Sequence, residues 1–185
     1  MRKGGAGRAI RRVAGWSVAL AIAAALLLGG WAMLRGRPQD LPWAPLDLAQ
    51  PVGLFTGRKL VALRDDLPHC RALLDRAGVR HVALPVLREG PSCGYDDAVR
   101  LRTGGPLTIA LSPASPGVAC PVAAALALWE WEVVAPAARR HLNAQVVAID
   151  HFGSYNCRRM YGRDNGSWSE HARANAIDIA AFRLS

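Results

Sequence analysis

The chain has 185 residues, 51% of them hydrophobic, with 23 Lys and Arg against 14 Asp and Glu for a formal charge of +9. Seven of the cations (Arg2, Lys3, Arg8, Arg11, Arg12, Arg35 and Arg37) precede Pro38 with no acidic residue among them, so the remainder carries a surplus of only two. A basicity confined to a leader is not the cationic face that holds DNA or RNA, so no nucleic-acid partner is expected, and the length beyond the leader suffices for one small domain with a core.

Residues 1–12 form a short basic segment, and residues 13–34 carry no charge. Twenty-two uncharged positions make a helix of about 33 Å, enough to span a bilayer. Trp16 and Trp31 lie near its ends, and five cations precede it against two shortly after. That asymmetry puts the N-terminus in the cytoplasm, the helix in the cytoplasmic membrane as a single-pass anchor, and the C-terminal domain in the periplasm. A cleaved signal peptide is the alternative, but its apolar stretch should run only about 7 to 15 residues. Residues 35–53, with Pro38, Pro42, Pro45 and Pro51, read as a semi-rigid Pro-rich linker, which leaves 54–185 as the folded domain.

Within that domain Leu60, Leu63, Leu67, Cys70 and Leu74 recur at helical spacing up to Gly78, with Pro68 splitting or kinking the run. Short β-prone stretches follow at 80–84, 98–101 and 107–111, expected as an antiparallel sheet. Pro121 suits the start of a second helix running through Ala123, Ala127, Trp131 and Val134, which Pro136 should end or bend. Residues 146–150 read as a buried strand. Two main helices and short strands without strict alternation predict an α+β fold after the N-terminal transmembrane helix. Cys70, Cys93, Cys120 and Cys157 are even in number, widely spaced and free of Cys-x-x-Cys pairs, which predicts two disulfides and an oxidising compartment. Of three pairings the favoured one joins 70 with 93 and 120 with 157. A nucleophilic Cys157 fits that compartment less well.

Chemistry concentrates between Ser169 and Asp178. From Asn175 the residues alternate as in a strand, with Ile177, Ile179 and Ala181 on one face and Ala176, Asp178 and Ala180 on the other. Small neighbours leave room around the Asp178 carboxylate for an ion, and His171, seven residues earlier, can fold back to it. An imidazole nitrogen with a carboxylate oxygen suits zinc. A plainer reading has Ser169 and Glu170 capping a turn, His171 bonding locally and Asp178 pairing with Arg158. A Ser169–His171–Asp178 hydrolase triad fits poorly, because Ser and His two apart do not normally present their side chains for proton transfer.

The pattern Ser-x-His-x-x-x-x-Ala-x-Asp, formed by Ser169, His171, Ala176 and Asp178, resembles the first ligand motif of zinc peptidases that cut peptidoglycan, the D-alanyl-D-alanine carboxypeptidase and lysostaphin-like group. A closer resemblance is to bacterial extensin-like C-terminal domain proteins, carried by Cys120-Pro121, by Gly153-Ser154-Tyr155-Asn156-Cys157-Arg158 and by Ser169 to Ile179. The resemblance implies zinc as cofactor and peptidoglycan peptide stems as partner. It implies His171 and Asp178 as the first two metal ligands, and Arg158 as a catalytic residue that binds a substrate carboxylate or stabilises the transition state. Ala174 stands where the peptidase group usually has glycine. That group takes its third ligand and its general base from a later His-x-His-like segment, and no such segment lies between Asp178 and Ser185. The expectation is therefore of a chain cut short, carrying half a zinc site. Of His69, His81, His141 and His151, expected on the surface or in loops, His151 comes nearest to a substitute ligand. The competing function is a non-catalytic envelope module, either cell-wall-binding or structural.

Overall fold

The structure is a computed structural model and describes residues 5–185. Helix α1 (Gly5–Arg35) contains an apolar span, Arg11–Ala32, of 22 residues with mean hydropathy 2.0, none of it buried against the rest of the chain. By length and composition it can cross a membrane, a property that an anchor and a signal sequence share.

Part of the stretch expected as a semi-rigid linker packs against the domain. Leu46 and Leu48 are 5% and 3% exposed and belong to the main core. Gln39 is buried, donates through Nε2 to the Pro45 carbonyl at 3.2 Å, and receives Lys59 Nζ on its Oε1 at 3.2 Å. Backbone crosses tightly here: a Cβ on Gly53 would lie 2.5 Å from the Gln39 carbonyl carbon. Proline prevents this strap from forming ladders, but two leucines and one satisfied amide are enough to fix it in place.

Helices α2 (Thr56–Ala62) and α3 (Leu67–Arg76) carry the first apolar stripe, divided by a 3-10 turn at Leu63–Asp65. Asp66 caps α3 by accepting from the His69 N–H, and Pro68 sits in the first turn, where a missing N–H costs nothing. Six short strands follow: β1 (His81–Ala83), β2 (Leu87–Arg88), β3 (Gly94–Tyr95), β4 (Ala98–Leu101), β5 (Ala110–Ser112) and β6 (Gly117–Ala119). After them come α4 (Cys120–Trp129), a π turn (Glu130–Val134), α5 (Ala135–Leu142), β7 (Val146–Gly153) and β8 (Asp178–Leu184). The fold is α+β, one small domain beyond α1, with an antiparallel sheet β1-β4-β6, a β2-β3 hairpin and a mixed sheet β5-β7-β8.

Four details sharpen the expected pattern or depart from it. First, of the two outcomes expected at Pro136, the helix does not end there but changes its winding just before it. The Ala135 N–H reaches the Glu130 carbonyl, five residues back, and this wide turn accommodates the ring and the missing donor of Pro136 before α5 continues to Leu142. Second, β5 joins a different sheet from β1 and β4 and runs parallel to β7, with Leu111 opposite Ile149. Third, the alternation of the last strand is broken. Asp150 faces Ala181 and His151 faces Ile179, so Ala180 is passed over as a bulge. Ile179 packs on the smaller core of Ile109, Val134 and Ile149, while Phe182 lies 5.8 Å from the Trp129 ring and Ala181 is exposed. Fourth, the cysteines pair 70 with 120 and 93 with 157, not 70 with 93 and 120 with 157. Cys70 on α3 is fully buried against the first residue of α4, whereas Cys93 sits at the β2-β3 hairpin beside the loop after β7.

Candidate metal centre

Two segments build the site, the loop 154–158 after β7 and the turn 169–174 before β8. Hydrogen bonds stitch them together like a short ladder: the Asn156 N–H donates to the His171 carbonyl at 3.0 Å and the Ser169 N–H to the Arg158 carbonyl at 3.0 Å. Ser169 caps the 3-10 turn Glu170–Arg173 by accepting from the His171 N–H, so its hydroxyl is engaged as a cap. Ala174 closes that turn at φ +53°, in the left-handed region where glycine is the usual residue, and it is fully buried. Its carbonyl accepts from the Ala119 N–H, the residue just ahead of α4.

The geometry brings His171 and Asp178 together. His171 Nδ1 lies 2.6 Å from the Ser154 carbonyl, an acceptor, so that nitrogen carries the hydrogen. Nε2 then faces Asp178 Oδ1 at 3.3 Å. With the hydrogen on Nδ1, a neutral imidazole presents its Nε2 lone pair on the side where the carboxylate stands, the orientation of two donors facing one ion. The ring of His171 is nearly covered, with 12% of its side chain exposed, while Asp178 is 57% exposed, so the pair opens to solvent from the carboxylate side.

Zinc fits this pair as far as the pair goes. Two bonds of about 2.1 Å at a tetrahedral angle put their donor atoms roughly 3.4 Å apart, close to the observed separation. The tie from Nδ1 to a backbone carbonyl is the outer-shell support that metal-bound histidines usually have. No group of three or more His, Cys, Asp or Glu side chains suited to a metal occurs among the described residues. His151 is no substitute: its Nδ1 accepts from the Gly153 N–H at 3.0 Å, so Nε2 is the protonated nitrogen and donates to the Ala114 carbonyl at 3.0 Å. Arg158 is half-buried and linked to Ser169 through its backbone; the acid next to His171 does not pair with it.

Ser154 is the residue that sequence reasoning passed over. It is 4% exposed, and its hydroxyl reaches the Ala176 carbonyl at 2.7 Å while its own carbonyl holds His171. Only its place in the Gly153–Arg158 segment hinted at this. Tyr155 donates to Glu89 Oε2 at 2.7 Å; partial burial, and then this carboxylate partner, push its hydroxyl up to about 12. On the other side of the turn, a polar cleft of about 520 Å³ is lined by Arg64, Arg88, Tyr95, Trp168, Glu170 and Arg173; neither His171 nor Asp178 lines it.

No curated protein and no solved structure matches this chain. The family model described as "Extensin-like protein C-terminus" matches residues 68–185, which takes in both disulfides, the 154–158 loop and the His171–Asp178 pair. With more than half of its length under that match, the chain belongs to the family of proteins with an extensin-like C-terminus.

Proposed function

We propose that this is a single-pass envelope protein, N-terminus in the cytoplasm and domain in the periplasm, whose His171 and Asp178 are two donors of a zinc site of the peptidoglycan-peptidase kind. The observation that supports it most is the His171 Nε2 to Asp178 Oδ1 approach at 3.3 Å with Nδ1 anchored on the Ser154 carbonyl. A bound zinc would polarise a peptide carbonyl and lower the pKa of its water to about 7. The protein's own part is to fix the ring and the carboxylate and, through Arg158, to hold a carboxylate of the wall peptide stem. A catalytic zinc needs a third protein ligand and a base, which these residues do not supply. Zinc competition against a chromophoric chelator tests the reading. On the full chain we expect weak stoichiometric binding, lost by tenfold or more in His171→Ala and in Asp178→Ala. Equal zinc uptake by wild type and both variants would sink it.

A second reading, a wall-binding module without chemistry, draws on the polar cleft with its arginines, Tyr95 and Trp168. Pull-down on purified peptidoglycan separates the two. Binding retained in the His171→Ala/Asp178→Ala double variant, with no muropeptide released by wild type, favours the module.

A further inference from the structure

Glu130 follows the apolar helix α4 and opens the π turn, and it is 6% exposed. One of its oxygens has a structural task. Oε1 accepts from the Thr108 N–H at 2.6 Å, the Thr108 hydroxyl at 3.2 Å and the Ile109 N–H at 3.2 Å, which ties the start of β5 to the helix. The second oxygen, Oε2, takes no hydrogen bond among the described residues, and it is not sealed from solvent. Glu130 lines a cavity of about 240 Å³ in the seam between the two cores, walled by Leu101, Leu107, Ile109, Leu126, Trp129 and Ile149. Arg102, Thr103 and Ala114, all exposed, and half-buried Ser115 also line it.

A nearly buried carboxylate with one oxygen satisfied and one open, at the wall of an apolar chamber, is half of a recognition pair. Water leaves much of it poorly wetted, because a held water wants two to four polar partners and, beside Glu130, only Arg102, Thr103 and Ser115 bring polar side chains to the lining. An alcohol would satisfy the hydrogen bond but not the charge, whereas an ammonium supplies a charge-assisted bond and its carbon skeleton covers the apolar walls. Scaling from a cavity of about 150 Å³ that holds benzene, this one takes roughly ten non-hydrogen atoms. We propose that the cavity is a binding site for a small primary ammonium compound with an aromatic or branched aliphatic body, its nitrogen on Glu130 Oε2. The site is independent of His171 and Asp178. The π turn fits this role, since such turns place one side chain out of helical register and recur at functional sites.

The test is a titration of the full chain in detergent micelles with 2-phenylethylammonium and, separately, 2-phenylethanol, following the backbone amide resonances of Thr108 and Ile109. Saturable shifts at both amides are expected, with the ammonium bound at least tenfold more tightly than the alcohol. Glu130→Gln should remove that advantage and leave the affinity for the alcohol unchanged, and Leu126→Trp, which fills the chamber, should abolish both. Equal affinity for the two probes, shifts that never saturate, or an advantage that survives Glu130→Gln overturns the proposal. If Glu130→Gln does not fold, the comparison of the two probes on wild type decides alone.

Discussion

Ser154 holds the site by its hydroxyl and its carbonyl, and the residue is only 4% exposed where its hydroxyl bonds the Ala176 carbonyl. Ser154→Ala should therefore cost about 1–3 kcal/mol, read by denaturant unfolding, and loosen the turn that carries His171. A change below about half a kcal/mol would mean that the Ala176 carbonyl finds another donor. Ala174 makes a second residue-scale case. Its left-handed backbone favours glycine, but it also buries a methyl group and limits the unfolded chain, so Ala174→Gly should stay within about 1 kcal/mol of wild type. Ala174→Val puts a branched side chain at the same φ in a filled space and should be far worse, with thermal melting as the measure. The sequence placed a carboxylate and an imidazole seven apart and small residues around them, and these were legible. The role of Ser154 was not, because it is a contact between segments distant along the chain.

Elements were legible where the pattern is local and hidden where it depends on a partner. The start of α4 at Pro121 and the division of the first helix at Pro68 follow from one residue's missing N–H. The bulge in β8 does not, since it is set by how β7 runs beside it, and its effect is to carry Phe182 to Trp129 while Asp178 stays next to His171. The π turn ties to β5 through Glu130, whose carboxyl is raised above its ordinary range, first by burial, against the lowering effect of the Thr108 and Ile109 bonds. A group raised in the folded state stabilises the fold fully below its unfolded value, and that stability is lost as pH rises through the folded value. The melting temperature of wild type should fall as pH climbs from about 4.5. Glu130→Gln should flatten part of that slope, leaving the share due to Asp97, which burial also raises. An unaltered slope in the variant would show that Glu130 titrates alike in both states.

At the scale of the molecule, two bridges staple one small domain. The loops they close span 50 and 64 residues, worth about 4 kcal/mol each by loss of unfolded-chain entropy. Reduction under native conditions should lower stability by several kcal/mol, and Cys70→Ser/Cys120→Ser should lose more than that entropy alone, since the pair sits fully buried between α3 and α4. Even count and spacing made the existence of disulfides readable. Pairing was not, because spacing says nothing about which helix ends meet. The strap before α2 escaped notice for the same reason: Leu46 and Leu48 are core only because the domain offers them a surface.

The bridges also cross: each loop encloses one cysteine of the other pair, 70–120 against 93–157. Were the domain to enter an oxidising space in the order of its sequence, behind the N-terminal helix, Cys70 and Cys93 would be present together before Cys120 had arrived. An oxidase acting on neighbours in order of arrival would make the wrong bond. The native connectivity would then need a partner that breaks and remakes disulfides, so yield in a host lacking its disulfide isomerase should drop while the yield of a cysteine-free control does not.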